Sequence, residues 1–298
     1  MIDLHMHTTY SDGNYSVLDL IKILNENNIK YASITDHNSV DAHVEFEENG
    51  YSSLFNGNMI RGVEIQTVVD GYLIEVLVYN YDLNKFKKFV DEAKVKFWNF
   101  HEHAYRSLLK KADAMGLKYI EPDRELGGSY YSNTKFQEAI AACLEENKKI
   151  VPEKILTDKL YFYRCEFQNP NSQFYIDSKQ AFPSLEQVIE NAHNSNGLVV
   201  LAHIDEYKTI ENKDKFLERV FTNYNLDGLE CFHPSINVEN REKYLAFAKS
   251  HNLLVSAGSD FHGPNFSHRM NINTEANFSD VSLLSKVKAN DLDDTITR

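Results

Sequence analysis

Residues that could ligate a metal ion recur at the ends of short apolar runs in this sequence. The first run ends in His5 and His7, which share one side of a β-strand because alternate residues point the same way. Six later runs end in or carry further groups of this type, namely His37, Glu64, Glu75, His203, Glu230, His233, Asp260 and His262. One such histidine is more often structural, but the repetition favours a centre for Zn²⁺, Mn²⁺ or Fe²⁺, which mixed imidazole and carboxylate ligands suit.

The elements that must position these residues alternate along the chain. Between several apolar runs lie helical patterns, at residues 16–28, 184–197 and 237–252. The first begins with Ser16 and the second with a Ser184–Gln187 capping box. This alternation predicts parallel strands in a barrel or in a doubly wound sheet. The carboxyl ends of parallel barrel strands meet at one face, so we expect the polar residues to converge there.

A different pattern occupies the middle of the chain. We predict barrel segments at residues 1–92 and 186–298, separated by a mainly helical insertion at residues 93–185. Residues 85–118 hold nine Lys or Arg and four Asp or Glu. This excess is typical of a solvated helix face, or of a basic rim that attracts an anionic substrate.

Composition narrows the class of protein. The 298 residues carry a formal net charge of −13, which argues against a duplex-DNA binder because such a protein needs a broad basic face. The three cysteines are odd in number and far apart, so we expect no disulfide framework and a reducing compartment. We find neither a signal-peptide pattern nor about 18 consecutive apolar residues, and therefore predict a cytoplasmic protein without a membrane partner.

The motifs "DLHMHTTYSDG", "ITDHNSV", "GVEI", "LAHI", "LDGLECFHP" and "AGSDFHG" together resemble the PHP (polymerase and histidinol phosphatase) family. The resemblance implies a distorted (β/α)7 TIM-like barrel and a metal-dependent phosphoesterase. The chain most resembles stand-alone bacterial members of the family that have a helical insertion. Some of these act on 3′,5′-nucleotide bisphosphates or on the 5′ ends of short oligonucleotides. We therefore expect hydrolysis of a phosphomonoester of a small phosphorylated molecule, through a hydroxide that bridges the metals.

The resemblance also implies a ligand set for two or three divalent ions (Mn²⁺, Fe²⁺ or Zn²⁺). The first ion would be held by His5, His7, Glu64 and Asp260. Glu64 would bridge to a second ion, which His203 also binds. A third ion would be held by Asp12, His37 and His262. Asp36 and Glu230 are expected to orient metal-bound histidines, a common role of carboxylates near metals.

The chain departs from the family pattern at two positions. Glu75 stands where relatives carry a histidine, so either it faces solvent and weakens the second site, or its carboxylate replaces the imidazole and favours Mn²⁺ over Zn²⁺. After His203 the chain reads Ile204-Asp205-Glu206 instead of Pro-Gly-Arg, so an arginine that contacts phosphate is absent at that point.

Several residues are candidates for binding or protonating the substrate. In the insertion, "YSNTKFQEA" offers Ser132, Asn133 and Lys135, and Lys135 would supply the missing positive charge unless it is a solvated helix residue. Arg269 and His268 are further candidates for anion binding, although both could be loop surface. His233 and His268 are candidate general acids.

Three alternatives stay open at this stage. One is a phosphatase of the histidinol-phosphate type. Another is a barrel hydrolase that acts on C–N or C–O bonds, although the late "SDFHG" favours phosphoester chemistry. The third is a catalytically weakened PHP module that binds nucleotide. The oligomeric state is left open.

Overall fold

The computed structural model describes residues 1–127, 130–264, 271–272 and 274–287. It has an α/β fold in which two compact units are distinguished by their internal contacts. Unit 1 comprises Met1–Glu92 and Pro183–Arg298, and unit 2 comprises Ala93–Phe182. None of the described helices combines the length and the apolar composition that crossing a bilayer requires.

Two sheets make up the β-structure of unit 1. The first is parallel, in the order β1 (Ile2–Asp3), β2 (Tyr31–Ala32) and β3 (Asn58–Met59). The second follows chain order: β4 (Gly62–Val69), β5 (Tyr72–Tyr79), β6 (Leu198–Leu201), β7 (Gly228–Phe232) and β8 (Leu254–Ala257). Strands β6, β7 and β8 are parallel, as the alternating pattern predicts.

Strand β5 runs antiparallel to both of its neighbours, which differs from the predicted parallel arrangement. The cause is local, because β4 and β5 are joined by Asp70 and Gly71 alone, with φ angles of 50° and 79°. Two consecutive positive φ angles are those of a type I′ hairpin turn, for which Asp-Gly is a favoured pair. A connection of two residues is far too short for a parallel crossover.

Backbone hydrogen bonds also join segments of the two sheets. The Leu4 N–H donates to Ala257 O at 2.9 Å, which links the end of β1 to β8. The Glu64 N–H donates to Thr35 O at 3.2 Å, which links β4 to the segment that follows β2.

The helices are α1 (Val17–Glu26), α2 (Asp41–Glu48), α3 (Leu83–Met115), α4 (Ser132–Ala141), α5 (Leu144–Asn147), α6 (Glu153–Thr157), α7 (Lys159–Tyr161), α8 (Leu185–Asn194), α9 (Lys213–Asn223) and α10 (Val238–Ser250). Short 3₁₀ turns lie at Tyr51–Ser53, Ser178–Ala181, Ile204–Glu206 and Ser282–Ser285, and a π-helical turn lies at Phe162–Phe167. The predicted caps are confirmed: Ser16 accepts from the Asp19 N–H, and Ser184 and Gln187 form a capping box.

Each unit has its own apolar core. In unit 1, one cluster lies around strands β4 to β8 and a second lies among α1, α2 and β2. The second includes Leu20, Ile21 and Leu24, which lie on one face of α1. The core of unit 2 contains Leu108 of α3 and Phe136 and Ile140 of α4.

Candidate metal centre

His5 and His7 lie just beyond β1, where the chain continues in an extended course. Between and before them, Leu4 and Met6 are buried in apolar clusters, so the alternation places the two imidazoles on the opposite side. The His7 N–H donates to Phe261 O at 2.9 Å, which fixes this segment against the chain after β8. Both imidazoles are fully buried, and their ring centroids lie 5.3 Å apart.

A first group of possible ligands contains His5, His7, Glu64 and Asp260. His5 Nε2 lies 3.3 Å from Glu64 Oε2 and 3.5 Å from Asp260 Oδ1. His7 Nε2 lies 3.4 Å and 3.1 Å from the same two oxygens. These four residues come from the ends of β1 and β8 and from within β4, and they are the set that the family resemblance implies for one ion.

A second group contains His7, Asp12, His37 and His262. Asp12 Oδ1 lies 3.1 Å from His262 Nε2 and 3.8 Å from His37 Nε2. The rings of His7 and His262 stack at 4.1 Å. The structure therefore brings together Asp12, His37 and His262, which are more than 200 positions apart at the extremes.

A third group contains His37, Glu64 and Glu75, and His203 lies beside it. His37 Nδ1 is 3.0 Å from Glu64 Oε2 and 3.7 Å from Glu75 Oε1. His203 Nε2 is 2.8 Å from Glu64 Oε1 and 3.4 Å from Glu75 Oε2. The Glu75 side chain is 20% exposed, so its carboxylate lies among the histidines and does not extend into solvent.

Each pair of groups has one residue in common: His7, Glu64 or His37. The two oxygens of a carboxylate can serve two cations, whereas a neutral imidazole has one lone pair and can serve one. Glu64 can therefore be shared, but His7 and His37 each must belong to one ion at a time.

Buried polar atoms in this centre support a fit to cations. His5 Nε2, His7 Nε2, Asp12 Oδ1, His37 Nδ1 and Glu64 Oε2 are buried and have no hydrogen-bond partner among the residues that the structure describes. Buried polar atoms are nearly always hydrogen-bonded, so a cluster of exceptions requires an explanation. All five atoms belong to the ligand groups, and their chemistry suits divalent cations.

Burial and neighbouring charges shift the pKa values of several residues in the candidate metal centre. Burial alone would raise the pKa of Glu64, but His5 and His37 outweigh it and hold the pKa well below its usual value. Burial would lower the pKa of His37, but Glu64 and Asp12 raise it to about 10. Burial lowers the pKa of His7 to about 3, with help from His262 and His37. The pKa of Glu75 is raised by burial and by Glu64, so a nearby cation would favour its charged form.

Supporting carboxylates hold the histidines and loops. Glu230 Oε1 is 3.0 Å from His5 Nδ1, and Glu230 Oε2 accepts from the His203 N–H at 2.8 Å. Asp36 accepts from the Thr8 N–H at 2.7 Å and from Ser11 Oγ at 2.6 Å, and Ser11 Oγ lies 3.3 Å from His7 Nδ1. Asp36 therefore holds the loop after His7 and reaches the His7 ring through Ser11.

Asp3 was missed by the sequence reasoning. Its carboxylate accepts from the Ser259 N–H at 2.9 Å and from the His5 N–H at 3.3 Å, so it joins the loop of His5 to the loop of Asp260. Burial raises the pKa of Asp3 to about 7 despite these bonds. The position of Asp3 within the apolar first run was the sequence feature that could have indicated this role.

The remaining predicted residues fall in different places. His233 Nε2 lies 3.4 Å from Asp260 Oδ2, and its Nδ1 lies 2.8 Å from Ser235 Oγ, so it adjoins the first group. Ser132, Asn133 and Lys135 lie in unit 2, in the first turns of α4. Lys135 Nζ is 5.0 Å from the centre of the Tyr105 ring. His268 and Arg269 lie outside the described residues.

Comparison with known families gives a match to the PHP domain over residues 3–238. The chain belongs to the PHP family. The match covers most of the chain and contains seven of the nine predicted ligand positions, from His5 to His203, whereas Asp260 and His262 lie beyond it. Membership makes this PHP protein a hydrolase of phosphoester bonds in a metal-dependent class.

Among curated proteins, the PHP chain is 27% identical over 265 residues to the 5′-3′ exoribonuclease Rnm of Escherichia coli K12, covering 88% of this chain and 85% of that protein. It is 24% identical over 268 residues to a 5′-3′ exoribonuclease of Haemophilus influenzae, covering 88% of this chain and 90% of that protein. Both relatives are similar along nearly their whole length.

Solved structures show a similar fold. One is described as a putative metal-dependent phosphoesterase from Bifidobacterium adolescentis, with a TM-score of 0.65, 21% identity, and coverage of 98% of this chain and 97% of that one. Another is described as an amidohydrolase from Chromobacterium violaceum, with a TM-score of 0.62, 18% identity, and coverage of 94% and 89%. At these identities the likeness concerns the fold alone.

Proposed function

We propose that this PHP protein hydrolyses phosphoesters of nucleotides or short oligonucleotides, acting at the 5′ end of RNA. The observation that carries the proposal is the set of three ligand groups joined through His7, Glu64 and His37. Multinuclear centres of this kind suit phosphoryl transfer, because adjacent cations can clamp both the attacking and the leaving oxygen. The exoribonuclease names of two relatives support RNA as the substrate.

We also propose that the two sheets close into the distorted seven-stranded barrel predicted from the sequence. The bonds from Leu4 to Ala257 and from Glu64 to Thr35 support closure, since they lie at both junctions between the sheets. In that arrangement β3 and β4, separated by Ile60 and Arg61, count as one strand. The ligand groups would then lie at one mouth of the barrel.

The proposed ligand assignment is the one that the family resemblance implies, and the lone pairs of the donors are compatible with it. His5, His7, Glu64 and Asp260 would hold one ion, and Asp12, His37 and His262 would hold another. Glu64 would extend to a further ion that Glu75 and His203 bind. This division uses each imidazole once and the Glu64 carboxylate twice, as the chemistry of the donors requires. It supports a centre of two or three ions.

Divalent ions at these positions would polarise the phosphoryl oxygens and lower the pKa of a water molecule, which makes it a nucleophile at neutral pH. The residues of the chain fix the geometry. Glu230 holds the His5 ring and thereby its Nε2 orientation. We assign to His233 the donation of a proton to the leaving oxygen, and its position 3.4 Å from Asp260 Oδ2 supports this role.

Residues of unit 2 are proposed to bind the substrate. Ser132 and Asn133 begin α4, whose N-cap residue Tyr131 makes no side-chain cap bond. The N-terminal turn of a helix attracts phosphate through its dipole, although in α4 the Ser132 and Asn133 side chains are buried and the Ser132 N–H lies 3.4 Å from His101 Nδ1. Lys135, one turn on, adds a point charge in place of the arginine that is absent after His203.

A panel that measures both released inorganic phosphate and released mononucleotides tests the function. Purified protein, stripped with a chelator and reloaded with Mn²⁺, Fe²⁺ or Zn²⁺, is offered a 3′,5′-nucleotide bisphosphate, a 5′-phosphorylated short RNA and histidinol phosphate. We expect no activity after stripping, recovery with metal, and the highest kcat/KM on the nucleotide substrates. A preference for histidinol phosphate would favour the alternative phosphatase.

A matched pair of variants tests the site. Asp260→Ala removes a buried carboxylate that faces His5 and His7, and we expect kcat to fall by at least about a thousandfold with loss of bound metal in elemental analysis. Asp19→Asn changes a carboxylate on the surface of α1 that pairs with Lys22, and should retain both. A folded Asp260→Ala protein with full activity would refute the assignment.

A further inference from the structure

An aromatic cluster in unit 2 lies outside the apolar core of that unit. It consists of Phe97, Trp98, Phe100 and His101 of α3 together with Tyr131 and Phe182, and we call it the aromatic cluster. Each ring lies within 6 Å of another, centroid to centroid. Apart from His101, its α3 members and Tyr131 are partly exposed, and none of the six belongs to the core of Leu108, Phe136 and their neighbours.

Two rings of the cluster are nearly parallel. The ring centroids of Trp98 and Tyr131 lie 5.9 Å apart, and the angle between the ring planes is 16°. Phe97 meets both of them edge to face, at 5.1 Å and 5.9 Å. This edge-to-face support restricts rotation of the parallel pair, so a flat partner would meet rings that are already oriented.

A buried polar contact holds the two helices of the cluster together. His101 Nδ1 lies 2.8 Å from Ser132 Oγ, and both side chains are buried. This contact ties the start of α4, and with it Tyr131, to α3. The relative placement of Trp98 and Tyr131 therefore depends on a buried polar contact between the two helices.

Charge in unit 2 suits an anionic ligand. Residues 93–182 hold 14 Lys or Arg and 12 Asp or Glu, whereas the rest of the chain holds 17 and 32. The acidic character of the protein thus belongs to unit 1. Lys94 and Lys96 lie within one turn of Trp98 on α3, and Lys135 follows Tyr131 by one turn on α4. Aromatic rings flanked by cations are the features of a single-stranded nucleic-acid site.

We propose that Trp98 and Tyr131 form a stacking site for a nucleobase of a nucleotide or single-stranded oligonucleotide. A stacked base would contact the rings, and the adjoining phosphates would meet the lysines. The proposal rests on the proposed function for the identity of the ligand as a nucleotide, but its evidence is the ring geometry and the charge of unit 2. It assigns base recognition to a place distinct from the ligand groups of unit 1.

The single tryptophan of the chain makes the site directly observable. A 2′-O-methyl RNA hexanucleotide, which resists hydrolysis, is titrated into the metal-loaded protein while Trp98 fluorescence is recorded. An abasic oligomer of the same length and charge is the comparison. We expect the RNA to quench Trp98 and the abasic oligomer to leave its emission nearly unchanged.

Variants separate stacking from charge and from folding. Trp98→Ala and Tyr131→Ala should each weaken binding of a fluorescently labelled RNA about tenfold, and should change binding of the abasic oligomer less than about twofold. Trp98→Phe should recover part of the affinity. Tyr163→Ala, at an exposed ring of unit 2 that stacks on Phe167, is the control and should bind RNA normally.

Two results would overturn the proposal: equal quenching by RNA and abasic oligomer, or equal losses for both ligands in Trp98→Ala. These outcomes are distinct from failure of the proposed function. If the wild-type protein releases neither phosphate nor mononucleotides from any substrate but RNA still quenches Trp98, the base site stands and the proposed hydrolytic function falls.

Discussion

Glu75 adds a second carboxylate to the third ligand group, at a position where relatives carry a histidine. Its oxygens lie within 3.7 Å of nitrogens on His37 and His203, and Gln66 Nε2 donates to it at 3.2 Å. Carboxylate ligands suit Mn²⁺ better than an imidazole does. A second carboxylate beside Glu64 also raises the negative charge that bound cations must offset.

Replacing Glu75 by histidine should shift metal preference. We expect Glu75→His to raise affinity for Zn²⁺ relative to Mn²⁺ by about tenfold or more, because imidazole is the softer ligand. Competition with a chromogenic chelator measures both affinities without any substrate. Glu75→Gln, which removes the charge and keeps the shape, should weaken both metals; an unchanged ratio in Glu75→His would contradict the role of this residue.

His43 provides a pH-dependent contribution to stability outside the ligand groups. It is buried, its Nε2 lies 2.8 Å from Ile34 O, and burial lowers its pKa from 6.5 to about 4. As the pH falls, His43 therefore gains a proton near pH 6.5 in the unfolded chain but only near pH 4 in the native state. Stability from this group is complete above pH 6.5 and is lost as the pH falls toward 4.

Urea unfolding of metal-free protein at pH 7.5 and pH 5 measures this effect. Between the two pH values, His43→Gln should lose about 2 kcal/mol less than the wild type, because the replacement does not titrate. The difference at pH 7.5 gives the packing cost of the substitution. Equal losses in both proteins would contradict a neutral buried imidazole.

Among the elements of the fold, the ends of β1 and β8 hold the ligand groups in place because they pass close to each other. Asp260 follows β8 with φ of 53°, an uncommon value for a residue other than glycine, and its N–H donates to His5 O at 2.8 Å. Just before it, a Cβ on Gly258 would stand 2.0 Å from His5 Cβ and 2.9 Å from Glu230 Oε1. The absence of a side chain at Gly258 therefore allows β8 to pass beside the His5 segment.

Gly258→Ala should displace the His5 segment and weaken metal binding on the order of tenfold to a hundredfold, since small shifts of ligands are costly. Gly127→Ala is the matched control, because no atom of the described residues beyond its chain neighbours lies within 4 Å of a Cβ placed there. Calorimetric metal titration compares the two. Wild-type affinity in Gly258→Ala would show that the segment can move without harming the centre.

The predictable part of this architecture is what local sequence encodes. Ser16 and Ser184 marked helix starts, and polar residues at the ends of apolar runs marked the edge where ligands meet. The direction of β5 depended on the Asp70–Gly71 turn, a local signal that the strand–helix rhythm obscured. The partners of Asp3 and Asp36 depend on contacts across the fold, as with Ser259, 256 positions from Asp3, and spacing carries no information about them.

At the scale of the whole molecule, chemistry and charge are divided between the units. All the ligand groups belong to unit 1, and so do both of its apolar clusters. Unit 2 has a separate core and a near balance of charge. Among the residues that the structure describes, the ligand groups and the two apolar clusters of unit 1 therefore consist of unit 1 residues alone.

A chain in which a short Gly-Ser linker replaces residues 93–182 should keep its metal stoichiometry, because no ligand or core residue of unit 1 is removed. Its KM for a short RNA should rise at least about tenfold, since the proposed base-stacking and phosphate contacts are lost. Elemental analysis and steady-state kinetics give the two readouts. Loss of metal from a folded deletion protein would contradict this division.

His37 presents one nitrogen to Glu64 and the other to Asp12, at 3.0 Å and 3.8 Å. A neutral imidazole can commit only one of them, and the proton must then reside on the other. If His37 ligates an ion of the second group through Nε2, its Nδ1 would carry the proton and face Glu64. The tautomer of this one ring would then link occupancy of the second group to the negative charge that Glu64 offers to the other ions.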